Sequence, residues 1–312
     1  MPRREIVVAV ASDDAFLLGA ITTMFSVVRS TPDSSLTFVL LDCGLEARSR
    51  ERLMSVVDTW GSSVTLRIER VSTRALGTLP LSELYSPATY ARLFLPNLLP
   101  DVDRVLYLDS DVLARRSATD AACVSLGVDQ VCAAAVDATC PTIEIGLVPG
   151  SWADQRSGSA PYFNAGVLVM DLESWRAEAL SERLYDFLVH GGWENRFADQ
   201  DALNAILGPR FVALPPGTNY QLSREPGTHK TKISGLARNA SFLHFIGAKP
   251  WQTHGLVVDA TRLWAVREWY RCLGESGALS RAETRAMWAA TASGQARRVV
   301  RKLRGQPASA MS

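Results

Sequence analysis

Little in this sequence marks a secreted, membrane-spanning or polyanion-binding chain. Cysteine is sparse, with five in 312 residues (Cys43, Cys123, Cys132, Cys140 and Cys272), scattered and without a C-x-x-C pair. Such spacing supports neither a disulfide framework nor a thiolate zinc site, and the thiols are read as small buried hydrophobes. No apolar run approaches the roughly 20 residues that span a bilayer. The opening MPRREIVVAVASDD reaches Asp13 and Asp14 before it could form a signal-peptide core. Neither sign of charge is in excess, because 33 Lys plus Arg against 32 Asp plus Glu leave a net +1. That balance supplies no field for nucleic acid. A G-x-G-x-x-G fingerprint is missing as well, which excludes a dinucleotide fold of the usual kind. The expectation is a soluble, cytoplasmic protein.

What is present is an alternation of apolar strand-length runs with helix-period stretches. Ile6–Ala11, Leu36–Leu41 and Val64–Val71 read as strands, with helices at Phe16–Arg29 and Glu46–Trp60 between them. Tyr90–Leu95 reads as helical, then Val105–Leu108, Val131–Val136 and Val167–Met170 as strands, with later helices at Leu172–Val189, Gln200–Leu207 and Thr261–Leu273. Strands apolar on both sides and separated by helices predict an α/β fold, a doubly wound and mostly parallel sheet covered on both faces. The stretch 139–161 is polar, interrupted by Gly and Pro, and predicted to be a binding loop, with Trp152 a candidate to stack on a sugar. Beyond residue 273 the chain turns to Ala, Ser and Arg. Its segment 296–306 (ARRVVRKLRGQ) has the pattern of a short basic amphipathic helix, suited to peripheral contact with the inner face of a membrane.

Two carboxylates, Asp109 and Asp111, directly follow the apolar run VLYL, which puts them at the carboxyl end of a predicted central strand. Ligands of open α/β sheets bind at that end. A pair of carboxylates two residues apart repels unless a cation lies between them, and hard oxygen ligands suit Mg²⁺ or Mn²⁺ bridging to phosphate. The other pairs, Asp101/Asp103 and Asp199/Asp201, show that the spacing alone means little. Ser241–Phe245 reads as a strand running into a Gly-containing turn; it carries His244, and an imidazole shifts the preference toward Mn²⁺. Gly247 and Lys249 follow, a flexible backbone position and a point charge suited to phosphate. His190, His229 and His254 have no such context and read as surface residues. As a structural alternative, Asp13 or, preferably, Asp14 would cap the helix beginning near Phe16.

Six ordered segments, VAVASDD, TYARLFLP, VLYLDSDV, YFNAGVLVMDLESWR, FADQDALN and HFIGAKPW, together resemble the retaining nucleotide-sugar glycosyltransferases of family 8, which include lipooligosaccharide galactosyltransferases and glycogenin. The resemblance runs from about Ile6 to Trp251. It implies a single GT-A type nucleotide-diphospho-sugar transferase domain over 1–273 with a basic helical tail over 274–312. It also implies transfer of a hexose, glucose or galactose, from a UDP-sugar to a saccharide, glycolipid or protein-linked acceptor with Mn²⁺, for which Mg²⁺ could substitute. By this likeness Asp109, Asp111 and His244 hold the metal, and Lys249 and Arg92 meet the charge of the departing diphosphate. Ala11, Ser12, Asp13, Phe16 and Ser110 then border the nucleoside, while Asn164 and Gly247 approach the donor. Asp199, Gln200 and Asp201 fall at the reacting face and Asp137 on the acceptor side. Retention needs either a carboxylate nucleophile or a front-face route guided by the leaving phosphate, and the front-face route is the reading adopted. Departures from the family pattern are Ala15 after the second Asp of the first motif and a lone Ala248 between Gly247 and Lys249. Two rivals use the same residues: a haloacid-dehalogenase-like phosphatase with Asp109 as nucleophile, and a non-catalytic UDP-sugar-binding relative.

Overall fold

From Ile6 to Ala11 along the first strand, alternate side chains enter opposite faces and all are apolar, so that stretch can lie only in the middle of a sheet covered on both sides. The computed structural model describes residues 4–80, 86–147, 158–190, 196–208, 210–222, 232–252 and 259–303, with the side chains of 293–303 excepted. Among the described residues ten strands are formed: β1 (Arg4–Ser12), β2 (Ser34–Asp42), β3 (Val64–Arg70), β4 (Arg104–Leu108), β5 (Val112–Ala114), β6 (Cys132–Val136), β7 (Phe163–Asp171), β8 (Phe211–Leu214), β9 (Asn219–Gln221) and β10 (Phe242–His244).

Seven of them make one sheet in the order β3-β2-β1-β4-β7-β6-β8. β1 pairs in parallel with both β2 and β4, and only β7 runs against its neighbours. Val8 and Val10 face one apolar layer with Ile21, Met24 and Trp269; Ala9 and Ala11 face the other with Tyr90, Leu203 and Trp175. The helices Leu17–Ser30 and Ala260–Glu275 cover the first face, and Leu172–Ala177 and Asp199–Leu207 the second. Chain order reverses between β1 and β4, so their carboxyl ends, Ala11–Ser12 and Asp109–Asp111, lie side by side and a crevice opens where a ligand can enter.

A second sheet, β5-β10-β9, sets the far half of the site. β10 runs antiparallel to β5, with His244 opposite Val112, and the Phe245 amide donates to the Asp111 carbonyl at 3.0 Å. This register alone carries residue 244 to the Asp109–Asp111 turn. The helix Arg281–Leu303 packs through buried Thr284 and Thr291. Among the described residues no helix is long and apolar enough to cross a membrane.

Several sequence expectations are corrected in detail. Tyr90–Phe94 belongs to a 3-10 helix, Pro87–Phe94, which Pro87 starts and Ser86 caps, while Leu95 opens a separate helical turn, Leu95–Leu98. The single helix expected over Leu172–Val189 is two, Leu172–Ala177 and Leu180–His190, broken where Ala179 takes φ +50°. The 139–161 segment contains a helical turn, Ile143–Gly146, whose Ile143 packs with Cys140, Leu147 and Tyr162. Residues 148–157, and Trp152 with them, lie outside the described residues, as do His229, His254 and 304–306.

Candidate functional site

Asp109 and Asp111 follow β4, and β10 delivers His244 to them, so two carboxylates and one imidazole offer ligand atoms all within 4.8 Å of one another. His244 Nε2 lies 3.3 Å from Asp111 Oδ1 and 3.6 Å from Asp109 Oδ2. The Lys249 ammonium pairs with the other oxygen of Asp111, despite the shortened spacing from Gly247. Burial alone would push the Asp111 carboxyl up, but the charges of Lys249 and His244 override it and hold the group below the ordinary carboxylate range. Gly247 has φ +77°, so glycine is required there by backbone conformation.

Arg92 approaches from behind. Its guanidinium is 3% exposed, donates to Asp109 at 2.8 Å and to the Ala165 carbonyl, lies 2.7 Å from Asp199, and covers the Tyr107 ring at 4.2 Å. The guanidinium thus holds Asp109 from inside the protein. The charge of Asp109, joined by Asp199 where it is ionised, keeps Arg92 charged although burial opposes the charge.

Burial pushes Asp199 up to about 7, with Arg92 pulling it down and the Asp109 charge adding to the rise. The folded chain therefore retains a proton that the unfolded chain loses above the ordinary 3.8. Stability should fall as pH rises from 3.8 to about 7, by up to about 1.4 kcal/mol per pH unit. Asp111 contributes a slope of opposite sign, confined below 3.8. Denaturant titrations across the upper window should show the wild-type slope flattened in Asp199→Asn; an unchanged slope would contradict the assignment.

A polar chain continues from the cluster. Asn164 Nδ2 donates to Asp137 at 3.0 Å and to Gln200 Oε1 at 3.2 Å, and the Ala165 amide also donates to Gln200 Oε1 at 3.1 Å. Gln200 Nε2 in turn donates to Asp137 and to the Tyr162 hydroxyl, each at 3.3 Å. Asp137 caps its own loop by accepting from the Thr139 and Cys140 amides at 2.9 Å. Asp201 accepts from the Tyr162 hydroxyl at 2.5 Å and from the amides of Arg196 and Phe197 at 2.8 and 2.9 Å. Its carboxylate thus ties down the preceding loop and does not cap the helix, which begins after Ala198 with φ +53°, a strained entry for a residue with a Cβ.

At the end of β1, Asp13 accepts from the Phe16 amide at 3.1 Å and from the Ser86 hydroxyl at 2.6 Å. Neither carboxylate caps the helix Leu17–Ser30, whose N-cap residue is Phe16 and which has no side-chain cap; the Asp13 bond closes the turn that precedes it. Asp14 reaches across to the Glu46 amide at 3.2 Å. Ser110 Oγ donates to the Ala11 carbonyl, Ser12 Oγ to the Asp13 carbonyl at 2.8 Å, and Phe16 meets Trp251 edge-on at 5.6 Å.

Residues not singled out from the sequence also build the site. Gly166 lies in β7 under the cluster, where a Cβ would stand 2.1 Å from His244 Cε1 and 2.8 Å from Asp109 Oδ2. A glycine inside an apolar strand was the available signal. Tyr162, Asn219 and Gln221 give none. Asn219 donates to Asn164 at 2.9 Å, and Gln221 clamps the backbone on both sides of Asp137, accepting from Ala138 N at 2.8 Å and donating to Val136 O at 3.1 Å.

A doubly wound sheet whose switch point carries an Asp-x-Asp turn and a returning histidine is the GT-A glycosyltransferase architecture. A solved structure of an active-site variant of LgtC superposes with TM-score 0.71 at 24% identity, covering 92% of this chain and all of that one; LgtC galactosyltransferase with donor and acceptor sugar analogues gives 0.67. These likenesses speak to the fold. The chain itself belongs to glycosyltransferase family 8, whose model, "Glycosyl transferase family 8", matches residues 7–255. Lipopolysaccharide 1,3-galactosyltransferase of Salmonella typhimurium is 25% identical over 261 residues, 80% of this chain and 73% of that protein. Lipopolysaccharide 1,2-glucosyltransferase of Escherichia coli K12 is 27% identical over 250 residues, 78% and 72%. Membership in this family overturns the phosphatase reading of Asp109.

Proposed function

We propose that the chain is a Mn²⁺-dependent, retaining hexosyltransferase that takes glucose or galactose from a UDP-sugar and passes it to a saccharide, glycolipid or protein-linked acceptor. The observation that carries this reading is the convergence of Asp109, Asp111 and His244 beside Lys249 at the mouth of the sheet. These residues fit a divalent ion by their chemistry. Two carboxylates and an imidazole are a mixed oxygen and nitrogen set suited to Mn²⁺, and the absent side chain of Gly166 leaves room for them. A bound ion would neutralise the diphosphate of the leaving nucleotide.

The protein's own groups do the rest. Lys249 adds a point charge at the diphosphate, and Arg92 holds Asp109 in place. Ala11, Ser12, Asp13, Phe16 and Ser110 line the nucleoside end. Asn164 and Gln200 border the hexose, Asp137 lies on the acceptor side, and the Gln200 amide is fixed in orientation by what its oxygen accepts. Neither Asp199 nor Asp201 stands ready as a nucleophile: Asp199 faces Arg92, and both oxygens of Asp201 serve Tyr162 and the loop. That favours the front-face route. Gln200→Ala is expected to lower kcat by about 10- to 100-fold with little change in donor KM. Unchanged kcat would remove Gln200 from the reacting face, and a glycosyl adduct on Asp201 found by mass spectrometry would overturn the route.

A panel of UDP-sugars tests the function without an acceptor. UDP release from UDP-glucose or UDP-galactose, abolished by EDTA and restored by Mn²⁺ better than by Ca²⁺, is the expected result. UDP binding with neither transfer nor donor hydrolysis would identify a non-catalytic relative.

A further inference from the structure

The turn carrying Lys249 is gripped by three side chains of the helix Ala260–Glu275. Arg262, 3% exposed, donates to the carbonyls of Leu222 and Ala248. Trp269 lies 5.5 Å from Trp251. Tyr270 has its hydroxyl 3.1 Å from the Pro250 carbonyl and 2.8 Å from the Thr291 hydroxyl, which belongs to the next helix, Arg281–Leu303. Proton direction follows from chemistry. A carbonyl only accepts, so the single Tyr270 proton goes to Pro250, and Thr291 must donate to Tyr270. Thr291 is fully buried, and the Trp288 ring packs against Tyr270 at 5.3 Å. One continuous path therefore runs from the last helix through Thr291 and Tyr270 to Pro250, the residue between Lys249 and Trp251.

We propose that the C-terminal helix is a positioning element for the donor site: through Thr291 and Tyr270 it holds the 247–252 turn so that Lys249 faces the diphosphate. This rests on the reading of Lys249 given above. It also places the first part of 274–312 functionally with the transferase unit. A hydrogen-bond chain of this kind is cooperative, so loss of either hydroxyl should loosen the turn without dismantling the core.

The test uses the full chain with Tyr270→Phe, Thr291→Val and Thr291→Ser. Hydrogen exchange of the free protein should quicken at the amides of Lys249, Trp251 and Gln252 in Tyr270→Phe and Thr291→Val, and return to the wild-type rate in Thr291→Ser. In turnover, donor KM should rise about fivefold with kcat within twofold. That rise should vanish when Tyr270→Phe is made in a Lys249→Ala background, a non-additivity that a general loss of stability would not produce. Wild-type exchange in both Tyr270→Phe and Thr291→Val overturns the proposal. Faster exchange in a protein whose donor KM does not move supports the clamp and refutes the role given to Lys249. Should Tyr270→Phe fail to fold, Thr291→Val, which keeps the Tyr270–Pro250 bond, decides the same question.

Discussion

Asp111→Asn is expected to lower kcat/KM for the UDP-sugar by about a thousandfold or more. The substitution keeps the volume of the side chain and removes its charge. Asp111 is 4% exposed, faces His244 Nε2 at 3.3 Å and pairs with the Lys249 ammonium. Neutralising it takes away one proposed metal ligand and leaves Lys249 without its carboxylate, so both cationic elements of the donor site are disturbed at once. The loss should persist at saturating Mn²⁺, because the amide is a far poorer ligand than the carboxylate. Steady-state kinetics with added Mn²⁺, alongside near-ultraviolet circular dichroism to confirm packing, checks this. A folded variant retaining a tenth of wild-type activity would rule out the assigned role.

Gly166→Ala is the second large expected effect, and it tests the site through sterics alone. The new methyl would stand 2.1 Å from His244 Cε1, 2.7 Å from its Nδ1 and 2.8 Å from Asp109 Oδ2. Gly166 also accepts the Asp109 amide at 2.9 Å, so strand and turn cannot separate cheaply. Overpacking of this kind costs about 1–3 kcal/mol of stability. Displacing His244 and Asp109 together should weaken Mn²⁺ binding by about 100-fold or more. Gly235→Ala, at a position where a Cβ meets nothing, serves as the control. Mn²⁺ titration followed by electron paramagnetic resonance reads the difference; wild-type affinity in Gly166→Ala would place the ion elsewhere.

What the sequence revealed divides along physical lines. β1, β2 and β4 were readable because their central runs, buried on both faces, are almost wholly apolar, and the Asp109–Asp111 turn was readable because it interrupts such a run abruptly. β5 and β9, each three residues long, are too short for periodicity to declare, and β10, though it falls within the strand-like run 241–245, carries no local sign of its partners. Yet these strands carry His244 to the cluster, so its place beside Asp109 came from family resemblance and not from local pattern. The first half of β7 was hidden because its Asn164 and Gly166 serve the site in place of the strand's apolar alternation. Side-chain direction was the least legible feature. Arg92 turns inward to Asp109 and Asp199, and Asp201 turns to Tyr162 and the Arg196–Phe197 amides. These choices depend on which partners the folded chain brings near, and residue type and spacing do not encode them locally.

Calorimetric titration of UDP into the wild-type chain, with saturating Mn²⁺ and again in EDTA, weighs most directly on the central claim that Asp109, Asp111 and His244 form an ion site that grips a nucleoside diphosphate. Binding in Mn²⁺ that disappears in EDTA and in Asp111→Asn is the expected outcome. Equal affinity with and without metal, or no uptake of UDP in Mn²⁺, would contradict it.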